Sequence, residues 1–248
     1  RSIYGEGKYI HPEFGVVYPN HRNDEDMSAG QFDVTYKGYS NLMLVGTDEE
    51  SKAHPSSVYG ITKQVQEQMI MTVCPALGIA PVAFRYQNVY GPGQALSNPY
   101  TGILSIFSTQ IRNGNSIQIF EDGNETRDFV FIEDVVDATI LGIEKKEANN
   151  EIFNVGTGVA IDVLTVANTL VDAYNIDVDV VVTGKFRVGD IRHNYADITK
   201  IKDLLGFKPR VSFKEGIHKF TKWVLSQEIE EDNLQASLVQ MEKKGLLK

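Results

Sequence analysis

Short apolar runs alternate with helical patterns along most of this sequence, and this alternation most constrains its fold. The spacing of apolar residues predicts helices over 58–73, 101–114, 135–143 and 162–175. Strand-like runs lie between them, at 79–84, 116–120, 129–132 and 151–155. Gly114 is the expected cap of the second helix, and Asp162 is the expected start of the fourth. Strands and helices in this order predict an α/β fold with a parallel sheet covered by helices.

The two ends of the sequence differ from this middle part. Residues 5–57 are rich in turns and weakly periodic, with candidate strands at 15–18 and 42–45. Residues 226–248 form a charged helical tail. Its apolar residues at helical spacing predict a docking stripe made of Leu234, Leu238 and Met241.

The composition limits the possible function classes. The chain has 248 residues, 42% of them hydrophobic, which is enough for a sizeable core. Its formal charge of −9 argues against nucleic acid and anionic membranes as partners. Cys74 is the only cysteine and the five histidines are scattered, so we predict neither disulfides nor a metal site. The sequence shows no apolar run of membrane-spanning length and no signal peptide, so the expected location is the reducing cytoplasm.

A tyrosine and a lysine lie four residues apart in "SSVYGITKQVQEQM" at 56–69. At this spacing Tyr59 and Lys63 lie one above the other on a helix. The apolar stripe Ile61, Val65 and Met69 points away from the pair and is expected to hold the helix down. The spacing alone is equally consistent with an exposed tyrosine beside a solvated lysine, so other parts of the chain must decide.

Four stretches, in the same order, resemble motifs of the extended short-chain dehydrogenase/reductase family, which includes the NAD-dependent epimerases and dehydratases of nucleotide sugars. "YGITK" at 59–63 is similar to its Tyr-x-x-x-Lys motif, and "RYQNVYGPGQ" at 85–94 to its strand-to-loop substrate motif. "TRDFVFIEDVV" at 126–136 resembles its Arg-Asp-aromatic segment. "GDIRHNYADITKIKDLLGFKP" at 189–209 resembles its C-terminal signature. The match spans about residues 1–225 and is nearest to the dTDP-L-rhamnose and UDP-glucose 4-epimerase branch.

This resemblance implies the C-terminal part of a Rossmann-like doubly wound parallel sheet, intergrown with a smaller α/β substrate-binding domain. The Rossmann-like NAD domain would hold residues 1–88, with an insertion at about 10–52, and residues 129–159. The substrate-binding domain would hold mainly residues 89–128 and 160–225. The family's dimers form through the tyrosine helix, so we expect a homodimer at full length and a partly uncovered stripe in this chain.

The sequence departs from the family pattern at its start. The Gly-x-x-Gly-x-x-Gly turn that binds cofactor pyrophosphate is absent, together with the first half of the sheet. "IYGEG" at 3–7 resembles the strand end that follows the family's catalytic Ser or Thr, which would fall just before Arg1. We therefore expect a chain that lacks the cofactor half of its relatives and is inactive by itself. "NVGTG" at 154–158 lacks the three-glycine spacing and is interpreted as a tight turn.

By this resemblance Tyr59 and Lys63 are the catalytic pair, and NAD is the cofactor. A lysine one turn away and a positively charged nicotinamide both favour the phenolate form of a tyrosine. Tyr59 could then take the proton from a sugar hydroxyl while hydride passes to NAD, giving a 4-keto sugar. Lys63 would also hold the nicotinamide ribose, and Gln87 would contact the nicotinamide, partly by its backbone.

The resemblance also assigns a set of substrate-binding residues for a dTDP- or UDP-linked sugar. These residues are Asn88, Leu104, Gln118, Phe120, Arg127, Arg187 and Asp190. Each has a structural alternative: surface ion pairs for the two arginines, a turn for the asparagine, and plain core for the leucine and phenylalanine. The aspartate could instead cap a helix.

Three functions remain open. The first is a nucleotide-sugar 4-epimerase with no net redox change. The second is a nucleotide-sugar 4,6-dehydratase or another NAD-dependent oxidoreductase of sugar nucleotides. In dehydratases an Asp-Glu pair removes water, and Arg1 and Ser2 stand at those positions here, which favours the epimerase. The third is a non-catalytic sugar-nucleotide-binding protein that kept the fold without the cofactor half.

Overall fold

The structure is a computed structural model that describes residues 1–97 and 102–248. Thr101, the first residue of the predicted helix 101–114, lies outside the described residues. The helices are α1 Asp24–Ser28, α2 Val58–Ala76, α3 Ile103–Arg112, α4 Ile132–Glu144, α5 Val163–Tyr174, α6 Thr199–Leu205, α7 Phe213–Leu225 and α8 Leu234–Lys243. The strands are β1 Lys8–His11, β2 Gly15–Val17, β3 Met43–Val45, β4 Val82–Tyr86, β5 Asn88–Tyr90, β6 Ile117–Ile119, β7 Thr126–Arg127, β8 Phe129–Phe131, β9 Glu151–Val155, β10 Ile161–Asp162, β11 Val180–Val182 and β12 His193–Asn194. A short 3₁₀ helix spans Lys146–Ala148.

Parallel pairing dominates the middle of the chain. β4 pairs with β9, β5 with β8, and β6 with β11, each in parallel register. β7 lies between antiparallel β10 and parallel β12. The predicted α/β class is confirmed, because helices and parallel strands alternate as the apolar pattern indicates.

Helix α2 begins as predicted but is held differently. Ser57 caps it, accepting a hydrogen bond from the Gly60 amide at 3.1 Å. The prediction that Ile61, Val65 and Met69 hold it down is wrong, since their side chains are 50%, 44% and 59% exposed. The expectation of an uncovered stripe is confirmed instead.

A polar clamp attaches α2 to the sheet. Arg85 of β4 donates two hydrogen bonds of 2.7 Å to the Glu67 carboxylate of α2. A third, also 2.7 Å, goes to the hydroxyl of fully buried Tyr4, which donates to Asn154 of β9. Paired charges in good geometry can fix a helix where an apolar contact is missing. The sequence pattern shows only the apolar stripe, so it predicted an apolar contact for α2 where the structure has this polar clamp.

The strand predicted at 79–84 begins later, at Val82. The reason is the way α2 ends. Pro75 lies in its last turn, Gly78 has φ +72°, and the Ile79 amide donates to the Cys74 carbonyl at 2.9 Å. This left-handed termination uses residues 77–79 to satisfy helix carbonyls, so they cannot pair in the sheet.

Two apolar clusters form most of the core. In one, α3, α5 and α7 pack together against β6 and β8, with Phe107, Leu170 and Phe220 among the buried side chains. In the other, α4 and α6 pack around β9, with Phe153 and Leu205 at its centre. The Asp162 cap of α5 and the Gly114 cap after α3 are both confirmed. The predicted domain boundaries stay a prediction.

The insertion and the tail each add a small structure of their own. In the insertion, β1 pairs with β2 and β3 in an antiparallel sheet, close to the two predicted strands. In the tail, the predicted stripe of Leu234, Leu238 and Met241 is confirmed, and Leu247 joins it against Ile106 and Phe120. Within the described ranges, no helix is both long and apolar enough to cross a membrane.

Candidate active site

Two adjoining cavities form a cleft beside the carboxyl end of β4. The larger has a volume of about 650 Å³ and is lined by Tyr59, so we call it the Tyr59 cavity. The smaller has a volume of about 220 Å³ and is lined by Arg187, so we call it the Arg187 cavity. Both are lined by Asn88 and Arg1, which lie at the boundary between them. An elongated ligand could therefore reach from one cavity into the other.

The structure places Tyr59 and Lys63 on one face of α2, as the spacing predicts. The Lys63 ammonium lies 5.5 Å from the centre of the Tyr59 ring and donates to the Gln66 amide oxygen at 3.3 Å. Gly60 lets the first turn of α2 approach the backbone of Ser2 closely, because a Cβ on residue 60 would lie 2.5 Å from the Ser2 carbonyl oxygen. Tyr59 thereby lines the cavity together with Ser2, while the Lys63 ammonium lies over the face of the tyrosine ring.

Gln87 sits between β4 and β5 with an unused side-chain amide. Its backbone amide donates to the Val155 carbonyl at 2.9 Å, so that backbone donor is already engaged in the sheet. Its side chain is only 6% exposed, and neither amide atom has a hydrogen-bond partner among the described residues. A buried polar group without a partner is costly, so a ligand that both donates and accepts hydrogen bonds fits here.

The structure brings six of the seven predicted substrate residues to the Arg187 cavity. These six are Asn88, Gln118, Phe120, Arg127, Arg187 and Asp190. The seventh, Leu104, is buried in the first core cluster and lines the Tyr59 cavity. Asn88 begins strand β5 and pairs with Phe129, so its alternative role in a turn is wrong.

Arg127 is buried and fully used by the protein. One terminal nitrogen donates to the carbonyls of Thr126 and Arg192, at 2.8 and 2.9 Å. The other donates to the Asp190 carboxylate at 2.9 Å and to the Ile191 carbonyl at 2.6 Å. The expected alternative, an ion pair with an aspartate, is therefore present; its arginine is buried, and its aspartate is 43% exposed.

Arg187 differs from Arg127, because fewer protein acceptors bind its guanidinium. Its guanidinium lies over the Phe120 ring, 5.0 Å from the ring centre. Its Nε is buried and has no hydrogen-bond partner in the described part of the chain. Burial lowers the pKa of this guanidinium, partly offset by the charge of Asp190. An anionic group in the cavity would stabilise it further.

Asp190 does not cap a helix, so that alternative is wrong. It lies in a turn, where its Oδ1 accepts from the Ile191 amide at 2.8 Å and from Arg127. Withdrawal from water alone would raise its pKa, but the charges of Arg127, Arg1 and Arg187 hold the pKa below its usual value. Asp190 is thus an ionised acceptor at the edge of the cavity.

Comparison with known proteins shows which proteins the chain resembles. Residues 39–156 match the model of the NAD dependent epimerase/dehydratase family. A dTDP-L-rhamnose 4-epimerase of Burkholderia thailandensis is 36% identical over 233 residues, covering 94% of this chain and 62% of the relative. A putative UDP-glucose 4-epimerase of Methanocaldococcus jannaschii is 36% identical over 189 residues, covering 75% of this chain and 59% of the relative. The chain is therefore similar to members of the NAD-dependent epimerase/dehydratase family.

Solved structures of epimerases share its fold. The UDP-glucose 4-epimerase of Thermotoga maritima with UDP-glucose is 35% identical, with a TM-score of 0.68, over 75% of this chain and 59% of that one. The UDP-glucuronic acid 4-epimerase of Bacillus cereus, in complex with UDP-glucuronic acid and NAD, is 27% identical with a TM-score of 0.67. That likeness covers 73% of this chain and 57% of the other. The chain thus spans about three fifths of the length of these epimerases.

An ion network in the wall of the Arg187 cavity, which Glu121 and Glu125 line, was missed by the sequence analysis. Arg22 of the insertion makes hydrogen bonds of 2.7 and 2.9 Å to the two carboxylate oxygens of Glu121. Arg192 donates to Asp122 at 2.6 and 2.8 Å. Burial raises the pKa of nearby Glu125 to about 7. The crowded acidic residues of "EDGNE" at 121–125 were the only available signal, since nothing in the sequence links them to Arg22.

Carboxylate oxygens of Glu121, Asp122 and Glu125 lie within 4.8 Å of one another, a spacing that could hold a metal ion. The guanidinium groups of Arg22 and Arg192 already pair with Glu121 and Asp122, and the carboxylate of Glu125 lies 3.9 Å from Arg192. The protein itself therefore supplies two of the positive charges that these three carboxylates attract.

The turn after β9 agrees with its interpretation as structural. Asp128, fully buried, accepts from the Thr157 amide and hydroxyl at 2.8 and 2.7 Å. Its other oxygen accepts from the amides of Gly158 and Ala196, at 3.0 and 3.2 Å. The amides of this turn are thus occupied by a carboxylate of the protein and are not free for a phosphate.

Proposed function

We propose that the protein containing this chain is a nucleotide-sugar 4-epimerase that uses NAD. The observation that carries the proposal is the adjoining pair of cavities. At one end Tyr59 stands beside Lys63, and at the other Arg187 lies over Phe120. A sugar held near the tyrosine would have its diphosphate near the arginine and its base beside the aromatic ring.

The residues at the inner end of the Tyr59 cavity fit a nicotinamide. Gln87 presents a buried side-chain amide with both polar atoms unpartnered in the described part of the chain. A carboxamide, which both donates and accepts hydrogen bonds, complements such a group. Tyr59, Lys63 and Gln87 would hold this end of NAD. When bound, the cofactor would take hydride from the sugar C4 and return it.

The remaining roles follow from position. The Tyr59 oxygen would accept the proton of the sugar 4-hydroxyl, with the Lys63 ammonium beside the tyrosine ring. Asn88, at the boundary of the cavities, would orient the sugar, with Leu104 excluding water beneath it. Arg187 would bind the diphosphate as a charge-assisted hydrogen-bond donor.

The nucleoside would occupy the Arg187 cavity. Gln118 and Phe120 would enclose the base, and Asp190 would accept a hydrogen bond from the ribose. Arg127 would act mainly by holding Asp190, because its terminal nitrogens are saturated by protein acceptors. This part of the proposal serves a dTDP- or a UDP-linked sugar equally.

Product analysis tests the function. The natural full-length protein would be incubated with UDP-glucose and, separately, with dTDP-L-rhamnose, and the sugars would be followed by NMR. We expect one of the two to equilibrate with its C4 epimer. A 4-keto-6-deoxy sugar formed by loss of water would identify a dehydratase instead. Nucleotide binding without conversion of any nucleotide sugar would support the non-catalytic alternative.

A homodimer is also proposed, through the exposed stripe of α2. Ile61, Val65 and Met69 present apolar side chains on one helix face, and a second copy of the same helix could cover them. Light scattering of the full-length protein should show a dimer. Replacing Val65 by Asp should shift it toward the monomer, and a parent that is already monomeric would contradict the proposal.

A further inference from the structure

The tail contributes a wall to the candidate nucleotide site. We define the C-terminal segment as residues 234–248, made of α8 and the five residues that follow it. Leu234, its first residue, is buried and lines the Arg187 cavity. Leu238 and Leu247 are also buried, and this apolar group packs against Phe120, the ring that supports Arg187. The segment thus touches the same cavity wall that carries the arginine.

The segment also pairs with the backbone on both sides of Arg187. The amide of Phe186 donates to the Lys248 carbonyl at 2.9 Å, and the reverse bond measures 3.0 Å. The amide of Val188 donates to the Leu246 carbonyl at 3.0 Å. Arg187 and Leu247 are therefore opposite each other in an antiparallel bridge. Three backbone hydrogen bonds fix the path of residues 186–188, from which the arginine side chain leaves.

The two sides of residues 186–188 are held by different parts of the chain. Successive side chains of an extended segment point in opposite directions. Arg187 reaches the cavity, whereas Phe186 packs with Met27 and Phe32 of the insertion. The segment is joined to the same insertion by the ion pair of Lys248 with Asp24. Arg187 therefore stands on a short strand held by backbone pairing on one edge and by apolar packing on one face.

We propose that the C-terminal segment positions Arg187 for the diphosphate and closes the cavity around the nucleoside. This inference rests on the proposed function, since it names the element that makes the nucleotide site bind tightly. Arg187 has no salt-bridge partner in direct contact among the described residues, so its placement depends on Phe120 and on the strand that bears it. Undocking the segment would free both supports at once. Leu234, Leu238 and Leu247 are the positioning residues.

The test places a charge in the apolar contact. Leu238→Asp buries a carboxylate among apolar side chains and should undock the segment. Val239→Asp, on the exposed side of the same helix, is the matched control, and Leu238→Met keeps the apolar volume. Calorimetry on the full-length protein would measure the Kd of UDP, dTDP and NAD. For Leu238→Asp we expect the affinity for both nucleotides to fall about tenfold or more, while the affinity for NAD stays unchanged. The Val239→Asp and Leu238→Met variants should bind all three ligands like the parent.

A double-mutant cycle distinguishes positioning from a general loss of stability. If the segment acts through Arg187, the loss caused by Leu238→Asp should be markedly smaller in an Arg187→Ala background, where only the effect of closing the cavity remains. Fully additive losses would overturn the positioning role. If Leu238→Asp does not fold, Leu247→Ala gives the same test, because it keeps the backbone bridge and removes only its packing.

The outcomes also separate this inference from the proposed function. A parent that binds neither UDP nor dTDP refutes the nucleotide site itself, and this inference with it. A parent that binds both, together with a folded Leu238→Asp variant that binds them equally well, refutes the inference alone. Equal weakening by Leu238→Asp and Val239→Asp would attribute the effect to added charge and would also refute it.

Discussion

The catalytic assignment predicts a specific consequence of replacing Tyr59 by Phe. The substitution removes one hydroxyl and nothing else. The Tyr59 side chain is 63% exposed and lies in the first turn of α2, whose cap and clamp are made by other residues. Surface changes of this kind alter the free energy of unfolding by about 0.5 kcal/mol or less. The variant should therefore fold and melt like the parent.

The effect on turnover should be much larger. Loss of a general base slows a reaction by about 10²–10⁴-fold. At about 1.36 kcal/mol for each factor of ten, this is about 3–5 kcal/mol of barrier. Among the described residues that line the Tyr59 cavity, Tyr86 and Arg1 are the other titratable side chains. The Tyr86 hydroxyl is 3.1 Å from the Thr139 hydroxyl, so it has a partner of its own and is poorly placed to replace Tyr59.

The assay is kcat for whichever nucleotide sugar the product analysis identifies, together with the Kd of the bare nucleotide. Tyr86→Phe is the matched control, because it removes a hydroxyl from the same cavity. We expect near-parental turnover for Tyr86→Phe and at least a hundredfold loss for Tyr59→Phe, with nucleotide binding unchanged in both. Turnover of Tyr59→Phe within tenfold of the parent, at unchanged nucleotide affinity, would refute the assignment of the base.

Three further predictions concern single charges. Arg187→Ala should weaken the binding of UDP and dTDP, measured by calorimetry, by about 1.5–3 kcal/mol, and by the same amount when the nucleotide carries its sugar. An unchanged Kd would place this residue outside the site. Asp128→Asn should lower the free energy of unfolding in urea by about 2–6 kcal/mol. The new NH₂ group is a donor, and it would face two backbone or hydroxyl donors that now bond to a carboxylate oxygen. Asp137→Asn, in an exposed ion pair, should cost at most about 1 kcal/mol, and equal effects would contradict the argument. Burial raises the pKa of Glu125 from 4.5 to about 7, so the folded parent binds more protons than the unfolded chain between these pH values and loses stability as the pH rises through them. The free energy of unfolding of Glu125→Gln, relative to that of the parent, should therefore rise by about 1–3 kcal/mol between pH 4.5 and 7. A difference between the two proteins that does not change with pH would contradict this.

Local features of the fold were predictable because their causes are local. The helix that carries Tyr59 and Lys63 follows from its cap and its spacing, and the start of α5 follows from Asp162. Even the late start of β4 has a local cause, since Gly78 and Pro75 both lie where the preceding helix ends. A closer reading of that Pro and Gly pattern would have placed the strand correctly.

Contacts between distant charges were not predictable from patterns. Arg85 and Glu67 replace an apolar anchor for α2, yet 18 positions separate them, and Arg22 meets Glu121 across 99 positions. Hydrophobic periodicity reports which face of a helix is apolar, but a single helix does not reveal which partner will cover that face. The exposed stripe of α2 shows this limit, because the pattern was right and its interpretation as an anchor was wrong.

The two arginines of the site illustrate how structure refines a resemblance. In the sequence Arg127 and Arg187 have the same standing, since each matches a position expected to bind the nucleotide. In the structure Arg127 spends four hydrogen bonds on Asp190 and on backbone carbonyls, whereas the Nε of Arg187 is buried and unpartnered among the described residues. A guanidinium whose donors already bind protein acceptors gains little from a phosphate. A buried guanidinium whose donor has neither water nor a protein acceptor gains more. Arg187 is therefore the residue whose removal should be felt most by the nucleotide, while removal of Arg127 should first be felt by Asp190 and the chain around it.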